Sequence, residues 1–304
     1  MKKKDERVVL RLLFVDSVDK YYGNKQVLKK ASLQISEGIC YGVVGPNGAG
    51  KSTLIKIIAS IIQDYKGNVQ FTEEKLRIGY VPQEIALEET VTAQENLIFF
   101  GKLYGLRGDL LRNRVKEVLS EIGLTERGKD KVRTFSGGMK RRINIGCAIM
   151  HNPKLIIMDE PTVGIDPQSR RYIFQMIEQF KIEGRTIIYA SHYMEEVEQL
   201  CDEAAFIDRG QIIESGPIDM LIKRHAVPAI FVKGLNSLPD NMEGLGSVKN
   251  KDGGKLVTTN HPLQAMEIIL QHCKKTNVEL ERLELVKPRL EDIFFSLTGN
   301  QLRD

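Results

Sequence analysis

The segment Gly45-Pro46-Asn47-Gly48-Ala49-Gly50-Lys51-Ser52-Thr53 constrains this chain more than any other part of it. It follows a short apolar run at 41–44. It then opens a stretch, 52–60, in which Leu54, Ile55, Ile58 and Ala59 fall at helical spacing. Strand, glycine-rich turn and helix in that order fit the GxxxxGK[ST] pattern of a phosphate cradle. Glycines 45, 48 and 50 carry no Cβ, so the backbone can curl with its N–H groups converging inward. Lys51 adds a point charge for the β- and γ-phosphates and Ser52 a hydroxyl for Mg²⁺. The helix N-terminus adds a field that favours anions.

Around that cradle the apolar pattern alternates between strand and helix. Strand-like runs at 10–18 and 33–36 precede it, with a turn at Gly38. From about 92 to 150 the period becomes helical, through Leu97, Phe100, Leu103 and Tyr104 and again through Val115, Val118, Leu119 and Ile122. A buried strand returns at 155–158, then a helix through Tyr172, Met176, Ile177 and Phe180, a strand at 186–189 and a helix at 194–200. Such alternation predicts an α/β fold with a parallel sheet covered on both faces. A hairpin is expected at 204–213, turning at Asp208-Arg209-Gly210. Beyond about 226 the texture changes. A strand at 230–232, a polar stretch at 250–254, a helix after Pro262, an alternating strand at 278–281 and a last helix after Pro288 suggest a small separate α+β domain.

Composition narrows the class. Of 304 residues 42% are hydrophobic and 28% charged, which excludes a disordered chain, a fibre and a disulfide scaffold. A net charge of +4 is too even to imply nucleic acid by itself. Apolar stretches such as 57–62 fall far short of the ~20 residues that cross a bilayer. Asp5, Glu6 and Arg11 break any signal-peptide pattern at the basic start. Cysteines 40, 147, 201 and 273 lie far apart in sequence and form no CxxC pair, so reduced thiols are expected.

Two further motifs join the cradle. The apolar strand at 155–158 ends in Asp159-Glu160-Pro161, placing two carboxylates at the C-terminal edge of a sheet, where ligands sit in open α/β folds. Asp159 suits Mg²⁺, and Glu160 suits a base that polarises an attacking water. Upstream, Phe135-Ser136-Gly137-Gly138-Met139-Lys140-Arg141-Arg142 opens a helix with a hydroxyl and exposed N–H groups, a second anion-binding shape in the same chain.

With these motifs in order, residues from about 10 to 218 resemble the ATP-binding cassette (ABC) family. The resemblance implies a P-loop RecA-like core with an antiparallel β subdomain and a helical insert near 87–150. It places a nucleotide-binding domain at 1–225 and an accessory α+β domain at 226–304. Gln83 is similar to the family's Q-loop residue, which contacts Mg²⁺ or water and senses the membrane partner. Gly164-Ile165-Asp166-Pro167 resembles the D-loop, and Ser191-His192 the switch histidine. Tyr22 matches the aromatic that stacks on adenine, with Tyr21 an adjacent alternative. Phe135 and Met139 depart from the usual LSGGQ signature, leaving open what the missing glutamine would contact. The FSGGMKRR form and the Leu290-Glu291-Asp292 tail segment look like those of drug-resistance and ABC-2 exporters.

The implied cofactors are ATP and Mg²⁺. ATP would be held by Tyr22, Gly45 through Thr53, Ser136, Gly137, Gly138 and Asp166; the metal by Ser52, Gln83 and Asp159. Lys51, Gln83, Glu160 and His192 would carry catalysis. The family pairs two cassettes head to tail, so a second copy and a separate transmembrane permease are the implied partners, with no nucleic acid. An exporter ATPase, cytoplasmic and peripheral on the inner face of the membrane, is the leading expectation; an importer cassette or a soluble regulatory ATPase is the alternative. Residues 102–142 hold twelve basic and five acidic residues, either a solvated helix face or a surface for membrane-protein loops near anionic lipid.

Overall fold

The computed structural model describes residues 10–225, 228–234 and 246–299. They separate into two compact units, one ending at Ile218 and one beginning at Asp219, a helix earlier than the expected division after 225.

In the first unit, β1 (Arg11–Tyr22) and β2 (Lys25–Ser36) form a long antiparallel pair. The chain enters β3 (Cys40–Val44), turns into α1 (Lys51–Ile58), and returns as β4 (Lys66–Phe71) on the free edge of β1 and then as the short β5 (Ile78–Val81). Neither β4 nor β5 was anticipated, because one is mostly solvent-facing and the other only four residues long. The insert supplies α2 (Ala93–Leu103), α3 (Gly108–Glu121) and α4 (Gly137–Ile149). Then follow β6 (Leu155–Asp159), α5 (Pro167–Ile182), β7 (Thr186–Ser191), α6 (Met194–Leu200), β8 (Glu203–Asp208) and β9 (Gln211–Pro217).

The central sheet runs β5-β6-β7-β3-β8-β9 and is parallel except for the β8–β9 hairpin. Every residue of β3, β6 and β7 is buried, as strands covered on both faces require. One apolar cluster fuses the two sheets: Leu13, Val15, Leu28 and Ile35 from β1–β2 meet Leu54, Ile55 and Ile58 of α1 and Ile157 and Ile188 of the parallel sheet. This fixes the cradle, because α1 can start only where β3 stops. Cys40 and Cys201, 161 residues apart, come together with their sulfurs at 3.4 Å as free thiols, a proximity that sequence spacing hid.

In the second unit, α7 (Ile218–His225) leads to the antiparallel sheet β11-β12-β10-β13, built from β10 (Ala229–Lys233), β11 (Ser247–Lys251), β12 (Gly254–Thr258) and β13 (Arg282–Val286), with α8 (Pro262–Thr276) and α9 (Leu290–Thr298). Ile230, Val232 and Val257 pack on Ala265, Ile269 and Cys273 of α8. The polar 250–254 stretch is the β11–β12 turn, with Asp252 and Gly253 both at positive φ. The last strand lies at Arg282–Val286, not 278–281. Asn277 ends α8 in a left-handed cap, and the chain needs the next residues to reach the register in which Arg282 pairs with Lys233. Among the described residues no helix is long and apolar enough to cross a membrane.

Candidate functional site

The loop between β3 and α1 lines a cleft of about 730 Å³ together with Tyr22, Lys25, Gln26, Lys29, Gln83, Glu160 and Arg209. Gly45 is required by closeness: a Cβ there would lie 2.0 Å from the carbonyl oxygen of Ile207 on β8. Gly48 and Gly50 adopt φ of 77° and 109°, the left-handed region that other residues enter at a cost.

Three side chains converge on the carboxylate of Glu160. Lys51 lies 3.2 Å from Glu160 Oε1, while Gln83 Nε2 donates to Oε2 at 3.5 Å. His192 Nδ1 stands 3.1 Å from the same oxygen, at ion-pair distance but without the alignment of a hydrogen bond. Lys51 and Glu160 are 4% and 5% exposed, and burial pushes the lysine pKa below its usual 10.5 against the attraction of Glu160. Lys51 also donates to the carbonyls of Gly45 and Pro46 at 2.9 and 3.1 Å, so its ammonium is held within the cradle. Glu160 itself sits at φ 46°, a backbone strain of roughly 1–3 kcal/mol that tends to gather at functional sites.

Ser52 Oγ donates to Asp159 Oδ1 at 2.9 Å, and the Tyr80 hydroxyl to Oδ2 at 3.3 Å. Burial raises the Asp159 pKa above 3.8, with Ser52 opposing. Hydroxyl, carboxylate and amide oxygens make an all-oxygen donor set, which suits a hard cation such as Mg²⁺. Tyr22, not Tyr21, faces the cleft.

The remaining predicted residues gather elsewhere. Ser136 caps α4 by accepting from Met139 N at 3.3 Å, and Asp166 caps α5 by accepting from Ser169 N at 2.9 Å. The two caps touch through Gly138, where a Cβ would meet Ser169 Oγ at 2.0 Å and Asp166 Oδ2 at 3.6 Å. Neither Ser136, Gly137, Gly138 nor Asp166 lines the cleft. The cleft and the Ser136–Gly138 cluster are therefore separate surfaces of the chain.

Several participants escaped sequence reasoning. Arg209 reaches the cleft because the β8–β9 turn is bound to the cradle: Gly210 N donates to Ala49 O at 2.9 Å and Lys29 N to Gly210 O at 2.8 Å. Glu196, buried on α6, accepts from Thr162, Tyr189 and Ser191 at 2.8–3.0 Å, tying the loop after Glu160 to the strand before His192. Half of the twelve basic residues of 102–142 are engaged within the chain, Arg112 and Arg127 at exposed positions. Arg112, Arg114, Arg127 and Lys140 pair with acids, and Arg141 and Arg142 bind backbone carbonyls.

A parallel P-loop sheet with a helical insert, a second anion-type helix start and a carboxylate hub defines an ABC nucleotide-binding cassette. The ABC transporter family pattern matches residues 28–163. The linearmycin resistance ATP-binding protein LnrL of Bacillus subtilis (strain 168) is 42% identical over 311 residues, spanning 96% of this chain and all of its own length. The Nod factor export ATP-binding protein I of Ralstonia nicotianae is 32% identical, with 96% and 95% covered. A solved ATP-binding cassette of an ABC transporter in its ADP conformation superposes with a TM-score of 0.63 at 26% identity, over 71% of this chain and 94% of that one. This chain belongs to the ABC transporter ATP-binding proteins. It is an ATP-binding, ATP-hydrolysing subunit of the exporter type, like the resistance and export proteins it resembles.

Proposed function

We propose that two copies of this chain enclose ATP head to tail, each nucleotide held by the cleft of one copy and the Ser136–Gly138 surface of the other. The observation that carries this reading is the separation of the two surfaces. Lys51, Gln83, Glu160 and His192 meet around the cleft, while Ser136, Gly138 and Asp166 form a cluster outside it. Within the cleft Tyr22 stacks on the adenine, the N–H groups of 45–53 cradle the phosphates, and Glu160 accepts a proton from the attacking water. His192 and Gln83 hold that carboxylate and water in place. Ser52, Gln83 and Asp159 would hold Mg²⁺, which when bound neutralises charge on the β- and γ-phosphates. Release of the γ-phosphate loosens the pair of copies.

The motion passes to a separate membrane permease, so the protein works in the cytoplasm against the inner membrane face, exporting a drug-, peptide- or lipid-like molecule. The helical insert supports this docking role, for it leaves Phe99, Leu103 and Leu110 at 59%, 66% and 73% exposure on α2 and α3, and Asn96 of α2 bonds the backbone of Glu88 in the stretch that follows Gln83.

Gly137→Ala tests the arrangement. Among the described residues outside its own helical turn, only Ile165 Cδ1, at 4.0 Å, would meet the added methyl, so folding and ATP binding to the single copy should be unchanged. ATP-dependent dimerisation, read by light scattering in the presence of a non-hydrolysable analogue, should weaken at least tenfold, the order expected from a misfit against a bound phosphate. Dimerisation unchanged by Gly137→Ala would remove the signature surface from the nucleotide.

A further inference from the structure

α4 grips the segment that carries Gln83 along its length. Arg141, one turn into α4 and 4% exposed, donates Nη1 to the carbonyl of Pro82 at 2.8 Å and Nη2 to that of Gln83 at 2.6 Å. Asn144, 3% exposed, accepts from the N–H of Ala86 at 3.2 Å. Lys140 pairs with Glu89 at 2.6 Å. Three neighbouring side chains of one helix thus hold residues 82, 83, 86 and 89, and the helix is the one whose first turn carries Ser136, Gly137 and Gly138.

Burying a guanidinium against neutral carbonyls is expensive, and the Arg141 Nε has no hydrogen-bond partner among the described residues. What the group supplies is geometry. A planar fork can span two successive carbonyls and fix the backbone between them, whereas a lysine ammonium is a single point on a flexible stem. We infer that Arg141 is a positioning residue: it ties the backbone of Gln83 at the Glu160 centre to the signature helix, so that Gln83 and the Ser136–Gly138 surface move together. The consequence is that engagement of Ser136 by a second copy sets where the Gln83 amide stands. The inference rests on the reading of Gln83 given under Proposed function.

The test is a double-mutant cycle in the full-length protein, with ATP turnover, binding of a fluorescent ATP analogue and thermal melting measured on each variant. Arg141→Lys should lower kcat about tenfold, the order of a sub-ångström misplacement of a catalytic group, while KM and analogue affinity change less than about twofold. In the Gln83→Ala background the same substitution should cost less than about twofold, because the group it positions is already gone. Equal losses in both backgrounds would show that Arg141 acts elsewhere and would overturn the inference. If Gln83→Ala alone left kcat unchanged, the role of Gln83 would be at fault instead. Should Arg141→Lys melt the cassette, Asn144→Ala releases only the Ala86 contact. Its smaller loss of kcat should likewise vanish without Gln83, and persistence of that loss would count against the shared grip.

Discussion

The two compact units treat charge in opposite ways. Among the described residues, every buried ionised side chain belongs to the first: Lys20, Lys51, Arg141, Asp159, Glu160, Arg185 and Glu196. The second buries one polar residue, Thr259, behind an apolar core of Ile230, Val232, Val257, Ala265 and Ile269. It places its charges, including the Lys233–Glu281 and Arg282–Glu284 pairs, at the surface. Buried charge is costly even when paired, and an apolar replacement of equal volume is often more stable. A fold that carries seven such groups in one unit and none in the other has concentrated its chemistry in the first.

Glu160→Gln is the largest test of that contrast. It keeps the shape of the hub around Lys51, Gln83 and His192 but removes the base, so turnover should fall on the order of 10²–10⁴-fold, with binding of a fluorescent ATP analogue retained. Near-normal phosphate release would take Glu160 out of the reaction. The matched substitution in the other unit is Ile269→Ala, in a side chain with no exposure at all. Loss of its contacts should cost about 2–5 kcal/mol and show as a lower melting transition, with kcat within about twofold of the parent. A parallel fall in kcat would mean the units are not separable in this sense.

How far the residues foretold this contrast depended on how local each feature is. The cradle, Asp159 and Glu160 were legible because each is a short string whose spacing alone dictates geometry. The strand at β13 was misplaced and β4 missed because strand position is settled by a partner: Arg282 pairs where Lys233 ends, and β4 exists only against β1. Asp252-Gly253 was readable as a hairpin turn and was passed over amid polar residues. The buried charges divide the same way. Lys51 belongs to a motif, whereas Arg141 acquires its partners from a segment about 60 residues away and Glu196 acquires Thr162 from 34 residues away. Nothing in the immediate neighbours of either residue announces that.

The smallest effect separates an exposed carboxylate from a buried one by the sign of its pH dependence. Glu95 closes a capping box on α2: Thr92 N and Oγ1 both donate to its Oε2 at 2.8 Å, and Thr92 Oγ1 accepts from Glu95 N at 3.1 Å. Those donors hold its pKa below 4.5. The ionised form is thus favoured by folding, and its stabilisation is complete above 4.5 and lost as pH falls through the lower folded value. Asp159 runs the other way. Burial raises its pKa above 3.8, so the empty cassette is penalised as pH rises through that raised value and relieved below the unfolded one. Melting temperatures of the parent and Glu95→Gln, followed from roughly pH 3 to 7, should therefore differ by a small constant at neutral pH and converge at the acid end. Asp159→Asn should narrow its gap from the parent in the same direction but from above, melting higher than the parent at neutral pH. A variant at Glu95 that tracked the parent at every pH would show that the carboxylate of the capping box adds nothing to the stability of this fold.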